Sequence, residues 1–264
     1  MKRLFGVWSV LLVCCSAMAM NLRQEKNDSA VVAWYEDTQT LEADFAASLA
    51  DAQQIDESKV SHTLMPVSEE DSTQEWTTVG TTRMVLVCAF MNHNSLKFWA
   101  EADTFRLSKE TGVWVTLPSN WTRRSSEFAD LDSVAARYRM VQMLGLPPFS
   151  DYDTVVEFYI DPHGLFRPAF DPSINTTTVA PDFPAWADEE YVVGETNFRE
   201  WFAYNRSMAY VGNYACPWTQ LGYTYDWHHG APREGLSEYI GSFNTLARVK
   251  TRQSAWDFIQ QRTR

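Results

Sequence analysis

Residues 214–229 combine aromatic side chains with polar groups of the kind that recognise ligands. On an extended strand Tyr223, Tyr225 and Trp227 lie on one face, because alternate side chains point to the same side. Flat rings next to a carboxylate suit sugars, or other flat or cationic ligands, since each ring offers apolar area with a polar tip. The same alternation is also typical of rings packed in a core. The candidate binding residues of this segment are Trp218, Tyr223, Tyr225, Asp226 and Trp227.

Two further charged residues complete the candidate binding set, Arg167 and Glu238. A guanidinium can clamp an anionic ligand through two parallel hydrogen bonds. The alternative for Arg167 is a structural ion pair with Asp171 or Asp226.

Carboxylates also define an alternative, enzymatic function. A glycoside hydrolase needs two carboxyl groups about 5 to 10 Å apart, on either side of the bond that is cleaved. Glu157, Asp226 and Glu238, with His163, are the candidates for such a pair. Ser237 does not lie in a GxSxG elbow, so a serine hydrolase has no support.

A metal site and a nucleotide cofactor are both disfavoured. His228 and His229 are adjacent, and neighbouring residues of a strand face opposite ways, so a shared ion would need a turn and a third ligand such as His163 or Glu238. The chain has no GxGxxG or GxxxxGK[ST] phosphate-binding loop. We therefore predict neither a metal nor a cofactor.

The first nineteen residues have the layout of a secretory signal. Lys2 and Arg3 precede an apolar run too short for a permanent span, and a small-x-small site ends at Ala19. The alternatives are an uncleaved anchor and a lipoprotein. We expect cleavage after Ala19, a secreted or periplasmic protein, and no transmembrane segment after cleavage.

If the protein is exported, its cysteines can form a disulfide. Of four cysteines, Cys88 and Cys216 lie outside the signal, and an exported protein with two cysteines can form one disulfide. The alternative is a pair of buried thiols, because Cys88 lies in an apolar strand where a small hydrophobic residue fits.

Charge is distributed unevenly along the 264 residues, whose net charge is −12. Residues 20–80 contain 13 acidic and 3 basic side chains. No basic stripe is available to neutralise phosphates, so nucleic acid is a poor candidate partner. We divide the chain into a signal peptide (1–19), an acidic and partly disordered arm with one helix (20–80), and a single domain (81–264). The arm is either a linker or a helix that docks on the domain.

The periodicity of the domain indicates strands in runs with two inserted helices. The apolar run 84–90 predicts a central strand covered on both faces, and 155–160 alternates like a strand. Residues 104–107 and 113–116 read as two strands of a hairpin around the turn at 109–112. Helices are predicted near 131–141, capped by Ser126 or Asp130, and over 197–208. Without a βαβ rhythm, the fold class is α+β, a mostly antiparallel sheet with two or three packed helices.

Three segments carry a resemblance. They are VVEFYIDPHGLFRP at 155–168, PWTQLGYTYDW at 217–227 and GLSEYI at 235–240, with VWVT at 113–116. In this order they resemble an uncharacterised family of bacterial exported proteins. Gly164 stands where that pattern has an acidic residue. The resemblance implies export and a shared fold, with no implied catalysis.

These observations predict an exported cell-envelope protein that binds a glycan or an envelope protein through its aromatic-rich face and is not an enzyme. A carboxylate-dependent hydrolase, similar to glycoside hydrolases, is the alternative.

Overall fold

The computed structural model describes residues 33–99, 104–212 and 215–263. These form a nine-stranded antiparallel sheet with helices packed against it, so the α+β prediction is confirmed. The predicted signal peptide and its cleavage site lie outside the described residues.

The large sheet has the order β3-β11-β5-β2-β4-β10-β6, with β1 paired to β2 and β9 paired to β10. A separate two-stranded ribbon joins β7 and β8. The strands are β1 (Trp76–Val79), β2 (Thr82–Asn92), β3 (Thr104–Arg106), β4 (Val113–Thr116), β5 (Tyr152–Ile160), β6 (Leu165–Phe166), β7 (Val192–Val193), β8 (Thr196–Asn197), β9 (Tyr223–Tyr225), β10 (Glu234–Gly241) and β11 (Leu246–Ser254).

Strand β2 is central, as its continuous apolar run predicts. Six consecutive residues, Met84 to Ala89, are buried, because both faces of the strand are covered. Val85, Val87 and Ala89 pack on one face, and Cys88 packs on the other against Trp121 and α3. Such two-sided burial is what a run without polar alternation indicates.

Four of the five helices begin at a side-chain cap, and the helix that starts at Pro118 begins without one. The five are α1 (Thr38–Ala52), α2 (Pro118–Arg123), α3 (Ser133–Met143), α4 (Phe198–Met208) and α5 (Ala255–Gln260). Asp132 caps α3 by accepting from the amides of Val134 and Ala135, both at 2.9 Å, so the predicted caps Ser126 and Asp130 were wrong. Gly145 ends that helix region with a φ of +67°.

The predicted hairpin between residues 104–107 and 113–116 was also wrong. Both strands exist, but β3 pairs with β11 and β4 pairs with β10. Turn signals report a local reversal of the chain. They carry no information on which strand supplies the hydrogen bonds after it, and here those partners come from more than 100 residues later.

Residues 33–80 pack against the rest of the described chain. Met65 and Val67 belong to the same apolar cluster as the core of β2, and β1 pairs with β2 through four residue pairs. The polar stretch 68–74 forms a hydrogen-bonded turn in which Asp71 accepts from the amide of Thr73 at 2.9 Å. Helix α1 docks on the body through Leu41, which contacts the cluster of Val141 and Trp227. Of the two alternatives for this segment, a linker or a helix that docks on the domain, these contacts favour docking.

Candidate functional site

The aromatic residues of the 217–227 segment do not form an exposed face. Trp218, Tyr223 and Trp227 are 6%, 2% and 3% exposed, and Tyr225 is partly buried. Their polar atoms also form hydrogen bonds with other groups of the protein. Trp218 donates to the carbonyl of Pro168, Tyr223 to that of Lys59, Tyr225 to the carboxylate of Asp51, and Trp227 to the carbonyl of Leu146. Most of these aromatic side chains are therefore packed in the core, which is the alternative that the sequence left open.

Asp226 holds a buried ion network together. Arg139 donates to both of its carboxylate oxygens, at 2.8 and 2.6 Å, and Arg124 donates to Oδ2 at 3.2 Å. Arg139 also pairs with Glu127 at 2.5 Å. These two arginines hold the pKa of Glu127 below its usual value against the effect of burial. The network ties α3 to the end of β9, which is a structural role.

Arg167 is fully buried and bonds to backbone carbonyls. Its guanidinium donates to the carbonyls of Ser173, Gly222, Met65 and Thr176 at 3.1 to 3.3 Å. It also lies 4.9 Å from the ring centre of Tyr239. Among the described residues its hydrogen-bond partners include neither Asp171 nor Asp226, so the expected ion pair is not formed. These four hydrogen bonds hold the guanidinium within the protein and away from the cavity lining.

A cavity opens where the sheet separates between β2 and β4. The two strands share one residue pair, Cys88 opposite Thr116. Beyond Cys88, strand β2 continues to Asn92 beside β5, while β4 runs back from Thr116 to Val113 beside β10. The space between these two diverging segments is a cavity of about 1030 Å³.

The lining of this cavity is mainly apolar and comes from both faces of the sheet. Ala89, Met91 and Val115 belong to one core cluster, and Cys88 and Trp121 belong to the cluster on the other side. The cavity therefore passes through the plane of the sheet. Four exposed apolar side chains also line it: Phe98 (70% exposed), Trp114 (37%), Met208 (53%) and Val211 (58%).

Glu238 supplies the acidic group of the cavity. Its side chain lines the cavity at only 5% exposure, and Oε1 has no hydrogen-bond partner. Burial raises the pKa of this carboxyl well above its ordinary value of 4.5, and Arg167 opposes the shift only in part. Burial thus favours the uncharged form of the carboxyl group, which can donate a hydrogen bond.

Strand register explains why polar groups meet beside Glu238. Glu238 is paired with Thr116, and Thr116 is paired with Cys88. Paired residues of antiparallel strands point to the same side, so the three side chains form a row across β10, β4 and β2. The hydroxyl of Thr116 accepts from the indole of Trp121 at 2.8 Å and lies 3.3 Å from the sulfur of Cys88.

Both cysteines line the cavity as thiols, and the disulfide between Cys88 and Cys216 is not formed. Burial raises the pKa of each thiol to about 12, and for Cys216 the nearby Glu238 adds to the shift. A thiol in this state is protonated at neutral pH and behaves as a small apolar side chain.

The structure separates the carboxylates of the hydrolase alternative. Glu157 is paired with Cys88, so it stands in the same row as Glu238 but three strands away, or about 14 Å. Asp226 lies beside Arg233, roughly 16 Å along β10 from Glu238. Both pairs that include Glu238 therefore exceed the range of the two-carboxylate mechanism. Glu157 also forms an ion pair with Arg262, which donates to its Oε1 at 2.5 Å.

The histidines do not assemble a metal site either. His163 and His229 are largely exposed, at 92% and 87% of their side chains. Within residues 33–99, 104–212 and 215–263, no three His, Cys, Asp or Glu side chains are grouped so that they could hold a metal ion. Over the same residues, no helix combines the length and the apolar character needed to span a membrane.

Of the seven candidate binding residues, the cavity brings together Trp218, Tyr225 and Glu238. It does not include Arg167, Tyr223, Asp226 or Trp227. Sequence reasoning missed the apolar rim, Phe98, Trp114, Met208 and Val211, and the gap between β2 and β4. One available signal was Trp114 in a strand otherwise made of β-branched residues, but nothing local shows on which side a partner strand is absent.

Comparison of the chain with models of protein families, with curated proteins and with solved structures finds no match.

Proposed function

We propose that this chain is an exported, non-enzymatic binding protein that takes a mainly apolar ligand into the cavity between β2 and β4. The observation that carries the proposal is the cavity of about 1030 Å³ at the point where the two strands separate. Small-molecule sites are typically concave, mostly apolar and furnished with a few polar groups. The lining described above has this composition.

The exposed apolar rim supports the same proposal. Scattered apolar side chains are normal on a protein surface, but contiguous ones mark interaction sites. Four of the nine large apolar side chains that are exposed among the described residues line this cavity. An apolar ligand entering between Phe98 and Met208 would cover them.

The cavity favours an apolar ligand over the glycan that the aromatic segment suggests. A sugar needs many polar partners, whereas the polar tips of Trp218 and Tyr225 are bonded to Pro168 and Asp51. An envelope protein as a partner is a further proposal, and the exposed rim is the surface at which it would bind. The hydrolase alternative is less well supported, because neither Glu157 nor Asp226 lies within 5 to 10 Å of Glu238 by strand spacing.

Binding of an uncharged fluorescent naphthylamine to the full chain tests the proposal. We expect saturable one-to-one binding with increased fluorescence. Ala89→Phe places a ring in the gap, because Ala89 is buried and lines the cavity, and should weaken binding at least about tenfold. Unchanged affinity in a folded Ala89→Phe protein would contradict the proposal.

Two variants make that test specific. Ala46→Phe adds the same ring on the exposed side of α1, away from the cavity, and should bind like the wild type. Ser95→Trp obstructs the half-buried rim without a demand on core packing, and should weaken binding like Ala89→Phe. A glycan array run in parallel reports whether sugars bind instead.

Export is proposed from residues 1–19 and from the resemblance to exported proteins. Amino-terminal sequencing of protein recovered outside the cytoplasm should begin at Met20. A recovered chain that still begins at Met1 would contradict cleavage after Ala19.

A further inference from the structure

We propose that Glu238 is the head-group anchor of the cavity and donates a hydrogen bond to an uncharged oxygen acceptor of the ligand. The ligand class is therefore an apolar molecule with a carbonyl or similar oxygen, such as a ketone or an ester. This inference rests on the proposed function, because it assigns a ligand class to that same cavity.

The geometry of Glu238 carries the inference. The side chain is more than nine-tenths buried, it lines the cavity, and its Oε1 has no partner. A buried polar atom without a hydrogen-bond partner destabilises the folded protein. An acceptor on the ligand would remove that destabilisation, so recognition of an oxygen is favourable beyond burial of the apolar part.

Burial of Glu238 favours its uncharged form. Thr116 faces it from β4 and Cys88 lies beyond Thr116 on β2. The titratable groups whose charges couple to Glu238 are Arg167, Tyr210 and Cys216. Of these, Arg167 lowers the pKa of Glu238, but burial outweighs it and the pKa is raised overall.

Charged ligands fit this surrounding less well. A cationic head group would need Glu238 to lose its proton and would be repelled by Arg167. An anionic head group would need a cation at the same place. Lys109 is the one Lys, Arg or His among the described lining residues, and it lies in the turn before β4, at the opposite end of that strand from Thr116. A buried charge without a partner is strongly disfavoured.

The test compares three ten-carbon probes, decane, 2-decanone and decylammonium, by displacement of the naphthylamine dye. In the wild type, 2-decanone should bind about two- to tenfold tighter than decane, which is the worth of one net hydrogen bond. Glu238→Leu should abolish this preference and keep decane binding, which shows that the cavity is intact. Glu238→Gln retains an N–H donor and should keep the preference for the ketone.

Several results would overturn the inference. A ketone preference that persists in Glu238→Leu places the donor elsewhere, and tightest binding by decylammonium shows an ionised Glu238. Should Glu238→Leu not fold, the carbonyl stretch of isotope-labelled 2-decanone bound to the wild type decides the matter. It should lie below its frequency in a hydrocarbon solvent, and an unshifted band contradicts the hydrogen bond. Absence of dye and decane binding to the wild type refutes the cavity proposal itself, and this inference falls with it.

Discussion

At the scale of single residues, this protein buries two carboxyl groups in opposite ways. Asp226 is 2% exposed and is surrounded by Arg124 and Arg139, so its charge is compensated. Glu238 is 5% exposed, and its Oε1 has no partner. Natural proteins tend to violate local rules at functional sites and compensate elsewhere. The unpartnered Glu238 is therefore the better candidate for a functional residue.

The first prediction concerns stability and pH. The unfolded Glu238 carboxyl titrates near 4.5, and its folded pKa is well above that. Between the two values the native chain binds more protons than the unfolded chain, so the free energy of unfolding falls as the pH rises. Glu238→Gln cannot titrate. Its stability relative to the wild type should therefore rise by up to about 1.4 kcal/mol per pH unit above pH 4.5.

Urea unfolding of both proteins at pH 5, 6, 7 and 8 measures this difference, and groups that titrate in both proteins cancel. A difference that stays constant over the whole range would show that Glu238 is already ionised in the folded protein.

The second prediction concerns the ion network. Asp226→Ala leaves the buried Arg139 without its principal partner and should lower the free energy of unfolding by about 3 to 5 kcal/mol. Glu189→Ala removes the partner of Arg199 in an exposed pair, where the Glu189 side chain is 79% exposed, and should cost no more than about 1 kcal/mol. Equal losses in urea unfolding at pH 7 would contradict the structural role of Asp226.

At the scale of elements, the segment after α3 packs closely against its neighbours at the edge of the cavity. Gly145, after α3, lines the cavity at a φ of +67°. A Cβ at this position would lie 3.1 Å from the carbonyl oxygen of Tyr225 and 3.3 Å from Cγ of Pro217. Glycine thus lets the end of α3 lie against β9 and the segment before it.

The third prediction separates backbone strain from close packing. Gly80 has a similar φ of +61°, but nothing lies within 4 Å of a Cβ built there. Gly80→Ala should cost only the strain of the left-handed conformation, about 1 to 2 kcal/mol. Gly145→Ala should cost at least about 1 kcal/mol more, because its methyl group also meets Tyr225 and Pro217. Thermal unfolding of both variants gives the comparison, and equal losses would contradict the close approach.

At the scale of the whole molecule, residues 33–80 complete the core. Leu64, Met65 and Val67 are each at most 7% exposed and belong to two different clusters. A segment that contributes to both clusters cannot be removed without exposing each of them.

The fourth prediction follows from this integration. A chain of residues 81–264 should lack a cooperative unfolding transition, since it loses β1 and the buried side chains of the preceding segment. Near-UV circular dichroism and urea unfolding, with the full chain as the reference, measure this. A cooperative transition with full-length stability would restore residue 80 as a true domain boundary.

The elements of this protein are largely determined by local sequence. The strand around Met84–Phe90 and the helix α4 follow from hydrophobic runs and periodicity, because each pattern reports how a short segment divides its two faces. Capping is equally local, and Asn197 caps α4 by accepting from the amide of Glu200. The α+β class follows from the order of these elements.

The tertiary structure alone decided the pairing of strands and the site. Strand β4 could pair with β3 or with β10 as far as its residues show, and the choice depends on hydrogen bonds to a segment 120 residues later. Whether Tyr223 faces solvent or the core depends on what covers it, and alternation is the same in both cases. The cavity arises because β2 and β4 share a single residue pair before they diverge. A space between two surfaces belongs to neither segment alone, so no pattern within either one records it.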